Sequence, residues 1–301
     1  MRKEQFLRVA ILQIGELALN SARLEYFLTQ SKERGASVVL LPEYVCNLFF
    51  SELLTAPPEF AANQGETQYK DLAKLAKIYR MTIVAPLIRA QNGKFYKSVY
   101  RFAPDKIYRY DQRLLMPYPH WNEAAFFANE TFDGAALGQN AQNGQNARNS
   151  EIFQKLLAPR VFTIAGFKIA VFSGYELHFD LLWHRAVTAR IDAALVPSVG
   201  TFESFARWQT LAKSRSFTGG CYVARANRIG AFEGAKEKRG ETWEFYGNSF
   251  FCSPFGEIED SLDEMEGILI AEFDREMIKE ARKSFRFAAT AKSLDPPLLR
   301  L

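Results

Sequence analysis

Short apolar runs alternate with segments of helical periodicity along most of this chain. Residues 9–14 and 37–41 are apolar and rich in branched side chains, whereas in residues 21–34 the apolar side chains recur every three or four positions. Continuous apolar runs of this length favour buried strands, and a repeat of about 3.6 residues favours a helix. Pro42 ends the second run. The pattern predicts a strand, a helix and a second strand at the start of the chain.

The same alternation continues to residue 284, with hairpins between some strands. Residues 67–79 are predicted to be helical and 81–87 to form a strand, and Asn92-Gly93 is a strong turn signal before a further strand at 95–102. Strand and helix segments alternate again after residue 168. Helices between strands favour parallel neighbours, whereas hairpins make antiparallel ones. We therefore predict a layered α/β protein with mixed strand directions.

The 301 residues show no division into two independently patterned halves. They are 48% hydrophobic and 24% charged, which is ordinary for a globular protein, and no linker rich in Pro, Gly and Ser interrupts them. We predict a single domain over residues 1–301. Inside it, residues 138–149 are a tandem polar hexapeptide with almost nothing to bury, so a solvated low-complexity loop is expected there.

Composition argues against several kinds of partner. A net charge of +4 without a basic run argues against nucleic acid, and no stretch approaches the roughly 20 apolar residues that cross a membrane. Arg8 interrupts the N-terminal apolar run, which favours a first buried strand over a secretion signal. The cysteines, Cys46, Cys221 and Cys252, form neither a metal-type pair nor an even disulfide set. A cytoplasmic protein with reduced thiols and no metal is expected.

Three landmarks carry residues that indicate a reaction site. Leu40-Leu-Pro-Glu-Tyr44 places a carboxylate just beyond a predicted strand, a frequent position for active-site groups in α/β proteins. The second landmark is residues 108–123, and the third is the sharp turn at Gly174, which follows the apolar strand at 169–172. A single glutamate after a strand is more often a surface residue, so the interpretation depends on all three landmarks together.

Together these motifs resemble the nitrilase, or carbon–nitrogen hydrolase, superfamily. The likeness comprises Leu41-Pro-Glu43, Tyr110-Asp-Gln-Arg-Leu-Leu-Met-Pro117, Gly174-Tyr-Glu176, Pro197-Ser198, Ala226-Asn-Arg228, and Gly247-Asn-Ser249 followed by Pro254-Phe-Gly256. The resemblance implies a four-layer α-β-β-α sandwich that commonly forms homodimers. It also implies cofactor-free chemistry at carbon–nitrogen bonds, in which a Glu is the general base, a Lys stabilises the oxyanion and a Cys attacks to form a thioester.

Only one member of that triad is matched residue by residue. Glu43 matches the base, whereas the Lys position falls on Gln112 and the Cys position on Gly174. Glu123 is the expected counterpart of a further glutamate that positions substrate in the family. The residues that we expect to contact a substrate are Tyr118, Trp121, Asn122, Tyr175, Pro197 and Ser198.

These replacements argue against the family's chemistry. Glycine offers no nucleophile, and glutamine brings no positive charge to an oxyanion, where the loss of one donor costs about 3 kcal/mol. Neighbouring side chains along a strand point to opposite faces, so we expect Ser173 to face away from the acid and Arg113 to face away from the site. We therefore expect neither a thiol nor an ammonium group beside Glu43. Without a neighbouring positive charge, the ionised form of Glu43 should be less favoured.

Cys46 follows Glu43 by three residues, but it is interpreted as a buried thiol. Nothing in the pattern places it at the turn that begins with Gly174. Cys221 and Cys252 lie in strand-like apolar surroundings and are expected in the core. The three histidines show no spacing typical of zinc ligands.

Three functions are consistent with this sequence. The first is a protein that keeps the fold without the acyl-transfer chemistry and binds a small amide, carbamoyl compound or carboxylate. The second is a working amidase in which a water molecule, activated by Glu43, replaces the thiol. The third is a non-catalytic assembly partner.

One engineered change would explain Gly174 but not Gln112, so two replacements favour natural loss.

Overall fold

The computed structural model of the protein describes most of the chain. The described residues are 4–17, 21–53, 56–129, 158–201, 204–233 and 242–293. The loop expected at 138–149 therefore lies outside the described residues. No helix within these ranges is both long and apolar enough to span a membrane.

Two six-stranded sheets form the centre of the molecule. The strands are β1 (Phe6–Gln13), β2 (Val38–Leu40), β3 (Thr82–Gln91), β4 (Lys94–Phe102), β5 (Ile107–Asp111), β6 (Pro117–Tyr118), β7 (Trp121–Asn122), β8 (Val161–Ile164), β9 (Phe167–Val171), β10 (Ala193–Ser198), β11 (Tyr222–Asn227), β12 (Ile229–Glu233), β13 (Thr242–Tyr246), β14 (Phe250–Cys252), β15 (Ile258–Ser261) and β16 (Gly267–Asp274). The sheet orders are β16-β1-β2-β3-β4-β5 and β15-β14-β11-β10-β9-β8. Strands β1 to β3 are parallel, as are β9 to β11, and the outer pairs are antiparallel. The prediction of mixed strand directions is confirmed.

Helices cover both outer faces. They are α1 (Ser21–Glu33), α2 (Phe50–Leu53), α3 (Pro58–Tyr79), α4 (Glu123–Phe126), α5 (Asp180–Thr188), α6 (Phe205–Gly219), α7 (Arg275–Phe285) and α8 (Phe287–Ser293), with a 3₁₀ helix at Gly174–His178. Helix α3 begins well before the predicted residue 67, because Pro58 fits the first turn, where a backbone N–H has no partner inside the helix.

Three apolar layers hold the sheets and helices together. Val9 and Ile11 of β1 pack between the sheets, against Ile169 of β9. The alternate residues Ala10 and Leu12 pack under α1 and α3, and a third cluster joins the second sheet to α5 and α6. Strand β1 is therefore apolar on both faces, which explains its continuous apolar sequence. The helix–sheet–sheet–helix order confirms the four-layer α-β-β-α sandwich.

The sheet topology brings the sequence landmarks together. Glu43 follows the end of β2, and its backbone N–H donates to the carbonyl oxygen of Ser198, at the end of β10, at 3.2 Å. The two sheets therefore meet where parallel strands of each end. The Asn92-Gly93 turn, with φ of 52° and 72°, joins β3 to β4 as the predicted hairpin and returns the chain along the same sheet.

Candidate functional site

Glu43, Lys97 and Glu123 form a buried charge cluster at this edge of the sandwich. Lys97 Nζ lies 3.2 Å from Glu43 Oε2 and 2.7 Å from Glu123 Oε1, and all three side chains are buried. Hydrogen bonds between ionised partners are stronger than neutral ones. The lysine therefore ties together three separate segments: the loop after β2, strand β4 and helix α4.

The cluster shifts the protonation of its members. Burial is the largest influence on Glu43 and raises its pKa; the charge of Lys97 lowers that pKa and the charge of Glu123 raises it. Burial alone would lower the pKa of Lys97, but the two carboxylates raise it above the ordinary value. Lys97 is therefore an ammonium ion, and any proton that the cluster takes up goes to a carboxyl group.

Glu123 receives further hydrogen bonds from aromatic neighbours. The Tyr44 hydroxyl donates to its Oε1 at 2.5 Å and Trp121 Nε1 donates to the same oxygen at 3.3 Å, while the Met116 backbone N–H donates to Oε2 at 3.4 Å. Tyr44 has a φ of 56°, a region that side chains of this size rarely adopt. The strained backbone aims the tyrosine hydroxyl at Glu123, so the hydrogen bond offsets the strain.

Ser173 faces the acid, so the expectation that it faces away is wrong. Its hydroxyl contacts Glu43 Oε1 and lies 2.8 Å from Gln112 Oε1. The Gly174 backbone N–H donates to the same Glu43 oxygen at 3.3 Å. The segment from β9 to the 3₁₀ helix therefore places the Ser173 hydroxyl against the Glu43 carboxylate.

Side chains alternate along this segment as expected, but Ser173 rather than residue 174 faces Glu43. Val171 packs between the sheets and Phe172 packs against the helices, so Ser173 points inward again. A Cβ atom on Gly174 would point at Ser198, 3.0 Å from its Cβ and 3.2 Å from its Cα. The glycine therefore leaves room for β10 rather than for a ligand.

Gln112 and Arg113 face different ways, as alternation predicts. Gln112 lies beside Ser173 and donates from Nε2 to the carbonyl oxygen of Leu114 at 2.6 Å. Arg113 Nε lies 3.3 Å from Glu176 Oε1. Because Glu176 lies in the 3₁₀ helix that begins at Gly174, this contact anchors the helix.

Lys97 is not predicted from the sequence, and the expectation that no ammonium group reaches Glu43 is wrong. Lys97 lies in β4, which contains several basic and aromatic residues, and no motif marks one of them as buried. One sequence signal could have indicated it: Lys97 lies two residues before Val99, an inter-sheet core residue, so alternation places both side chains on the same face. In the structure, Asn129 also braces the backbone of Lys97. Asn129 Oδ1 accepts from the Lys97 N–H at 2.9 Å, and its Nδ2 donates to the Lys97 carbonyl at 2.7 Å.

All three cysteines of the chain lie in hydrophobic cores. Cys46 packs between the first sheet and its helices, and Cys221 and Cys252 pack between the second sheet and its helices. Each is an unpaired buried thiol, and burial raises the pKa of each to about 12. The sequence contains no further cysteine, so the chain brings no thiolate to Glu43.

The expected substrate-contacting residues divide between a buried floor and an exposed rim. Trp121, Pro197 and Ser198 are buried, whereas Tyr118 and Asn122 are exposed and Tyr175 is half-buried. The rings of Tyr118 and Tyr175 meet edge to face at 5.9 Å, and His120 stacks on Tyr118 at 5.7 Å. Tyr118 pairs with Trp121 across β6 and β7, so Trp121 connects this aromatic rim to the floor.

The sandwich and the glutamate beyond β2 define a protein of the nitrilase type. The family model for carbon–nitrogen hydrolases matches residues 8–283, and the chain belongs to that family.

The chain is similar to deaminated glutathione amidases from two organisms. It is 23% identical to the protein of Synechocystis sp. over 280 residues, which cover 89% of this chain and 90% of that protein. It is 29% identical to the Bos taurus protein over 143 residues, which cover 47% of this chain and 41% of that protein. The chain therefore aligns with less than half of the bovine length.

Two solved structures show the same fold. A carbon–nitrogen hydrolase from Helicobacter pylori G27 has a TM-score of 0.78 and 17% identity, over 94% of both chains. A cysteine-to-alanine mutant of the amidase from Nesterenkonia sp. AN1, in complex with butyramide, has a TM-score of 0.68 and 16% identity, over 93% of this chain and 95% of that one. At these identities the likeness concerns the fold alone.

Proposed function

We propose that this protein is a family member that does not perform thioester chemistry and binds a small amide, carbamoyl compound or carboxylate without cleaving it. The observation that carries the proposal is the placement of all three thiols in hydrophobic cores, with pKa values of about 12. The thiolate is the nucleophilic form of cysteine. Near neutral pH these groups remain protonated and away from the carboxylate.

The buried charge cluster supports binding of an amide. An ammonium group has three N–H donors, and Lys97 uses two of them on Glu43 and Glu123. The third is suited to a ligand carbonyl, and carboxylate oxygens of the cluster suit an amide N–H. The butyramide complex of the Nesterenkonia mutant is consistent with this, since that relative holds an amide after a cysteine-to-alanine change.

Titration calorimetry and ammonia release together test this proposal. Butyramide and deaminated glutathione serve as probes, and we expect saturable binding of at least one of them with no ammonia above the uncatalysed rate. Glu43→Gln should weaken that binding. Ammonia release that is lost in Glu43→Gln would contradict the proposal, and so would the absence of any binding, which would favour the role of an assembly partner.

A second candidate is amide hydrolysis with an oxygen nucleophile, favoured by the contact between Ser173 and Glu43. Glu43 would take the Ser173 proton while Oγ forms a bond to the acyl carbon, and the same proton would pass to the leaving amine as the C–N bond breaks. Water would then hydrolyse the ester. In a variant of this route, Glu43 activates a water molecule and no ester forms.

Two variants separate these routes from each other and from the binding proposal. If serine is the nucleophile, Ser173→Ala should abolish ammonia release. The mass increase that indicates an acyl-enzyme in mass spectrometry should disappear as well. If water is the nucleophile, Ser173→Ala should retain activity and Glu43→Gln should lose it. The absence of turnover in the wild-type protein would exclude both routes for the amides tested.

We also propose that the protein acts as a cytoplasmic homodimer. The family resemblance supports the dimer, and three unpaired thiols are consistent with a reducing compartment. Light scattering with size-exclusion chromatography checks the mass, and a monomer at micromolar concentration would contradict the dimer. Cell fractionation checks the compartment.

A further inference from the structure

A cavity separate from the charge cluster lies between the two sheets, beside β4, β5, β8 and β9. Its volume is about 260 Å³, and its interior is apolar, with four valines and Phe162 in its lining. Three arginines, Arg101, Arg109 and Arg160, also line it, and no carboxylate does so among the described residues. The cavity therefore combines an apolar interior with an excess of positive charge.

Several polar atoms at this cavity have no hydrogen-bond partner among the described residues. They are the Nε atoms of Arg101 and Arg160 and the hydroxyl of Tyr110. Tyr110 is only 8% exposed, and a buried polar group without a partner is unfavourable and uncommon. The Arg101 guanidinium lies over Tyr108 and Phe162, with its carbon 4.1 and 4.7 Å from the two ring centroids. Arg101 also has a side-chain hydrogen bond with Tyr108, so Nε is the guanidinium donor that is left without a partner in the described part of the chain.

Arg109 differs from the other two arginines. It has a carboxylate partner, since its Nε lies 3.4 Å from Asp111 Oδ1. Burial lowers the pKa of Arg101 and of Arg160, although arginine remains charged at neutral pH. An acceptor that carries negative charge would satisfy the unpaired donors and offset the cost of burying these cations.

We propose that this cavity binds a small organic anion, a carboxylate or a phosphate monoester carried on an apolar body. Arg101 and Arg160 hold the anionic oxygens, and the Tyr110 hydroxyl donates to one of them. The valine side chains and Phe162 contact the apolar body. This site is distinct from the Glu43 cluster, and it does not depend on the function proposed for that cluster.

Methyl NMR of the full-length wild-type protein tests the site directly. The probes are benzoate and phenyl phosphate, with benzyl alcohol as the neutral counterpart, since it carries neither an anion nor an amide. We expect saturable shifts of the Val99 and Val171 methyl groups with at least one anion and none with benzyl alcohol at the same concentration. The tighter of the two anions identifies carboxylate or phosphate as the preferred group. No saturable shift with either anion, or equal shifts with benzyl alcohol, would overturn the proposal.

Variants assign the contacts. Arg160→Gln should weaken binding of the preferred anion about tenfold or more, the usual effect of losing a charge-assisted hydrogen bond. Arg207→Gln, on the exposed face of α6, removes the same charge elsewhere and should leave the affinity unchanged. Equal weakening by both variants would indicate nonspecific attraction and contradict the site.

Tyr110→Phe provides a second readout. It should weaken anion binding a few-fold while leaving the thermal midpoint unchanged or higher, because it removes a buried hydroxyl without a partner. A lower midpoint with unchanged affinity would show a purely structural role for that hydroxyl. Glu43→Gln should leave anion binding intact, which separates this site from the amide-binding proposal.

Discussion

Lys97 neutralises the buried cluster, so its removal leaves two carboxyl groups together without a cation. Breaking a buried ion pair by removing one partner typically costs about 3–5 kcal/mol. We expect Lys97→Met to lower the free energy of unfolding at pH 7 by about that amount, measured by urea denaturation. The loss should become smaller as the pH falls, because protonation of a carboxyl group relieves the repulsion.

The matched control is Lys70→Met. Lys70 contacts Glu66 at 2.7 Å, but its side chain is 69% exposed, and exposed pairs contribute little. If both variants lose the same stability, Lys97 does not hold the cluster together.

Glu43 should make folding stability depend on pH in a defined direction. Its pKa in the folded protein is raised above 4.5, so the folded state favours the protonated form. The resulting stabilisation is present below pH 4.5 and is lost as the pH rises through the raised folded-state value. The free energy of unfolding of the wild type should therefore fall relative to Glu43→Gln as the pH rises above 4.5. Parallel curves for the wild type and Glu43→Gln would contradict the raised pKa of Glu43.

Adding a side chain at Gly174 should strain the protein, because a Cβ atom there would lie 3.0 Å from the Ser198 Cβ. Overpacking of this kind costs about 1–3 kcal/mol. We expect Gly174→Cys to be destabilised by that order and to release no ammonia from butyramide. Ser198→Gly removes the opposing Cβ, so the double variant should recover part of the loss in a double-mutant cycle. Additive losses in the cycle would show that the two positions do not touch.

At the level of elements, the β3–β4 hairpin depends on one glycine. Gly93 has a φ of 72°, and a Cβ atom there would meet nothing within 4 Å, so Gly93→Ala changes only the backbone preference. The left-handed region costs a residue with a Cβ about 1–2 kcal/mol, and we expect a loss of about 1 kcal/mol in urea unfolding. Asn92→Gly is the control, because glycine also accepts the φ of 52° there, and it should cost less. A larger loss for the control would refute the expected turn geometry.

Elements whose signals are local could be predicted from the sequence. The Asn92-Gly93 turn carries its own backbone preference, and Glu43 follows an apolar run that ends at a proline. The structure agrees with the predicted hairpin turn, with the position of Glu43 after β2 and with the mixed strand directions. The start of α3 at Pro58 was missed because its first turns lack a clear apolar repeat.

The site could be predicted only in part, because its remaining residues depend on tertiary packing. Alternation relates Ser173 to Gly174 but does not say which of them faces the acid; the close approach of Ser198 decides that. Lys97 reaches Glu43 because the hairpin returns β4 along the sheet and Asn129 fixes its backbone. Neither relation leaves a pattern in the local sequence.

At the level of the whole molecule, the two sheets share one apolar interior. Val9 and Ile11 of the first sheet and Ile169 and Leu195 of the second belong to the same buried cluster. Neither sheet can expose its inner face to water without losing this contact. We therefore propose that residues 1–301 form a single domain whose sheets unfold together.

Ile169→Ala tests that cooperativity. The side chain is fully buried between the sheets, and its truncation should lower the free energy of unfolding by about 2–5 kcal/mol. Met265→Ala is the control, because that side chain is 71% exposed and should change little. In hydrogen exchange, amides of β1 in the first sheet should lose protection by the same free energy as those of β10 in the second. If β10 loses protection while β1 keeps it, the sheets unfold independently and the single-domain proposal fails, because the shared interior would not couple them.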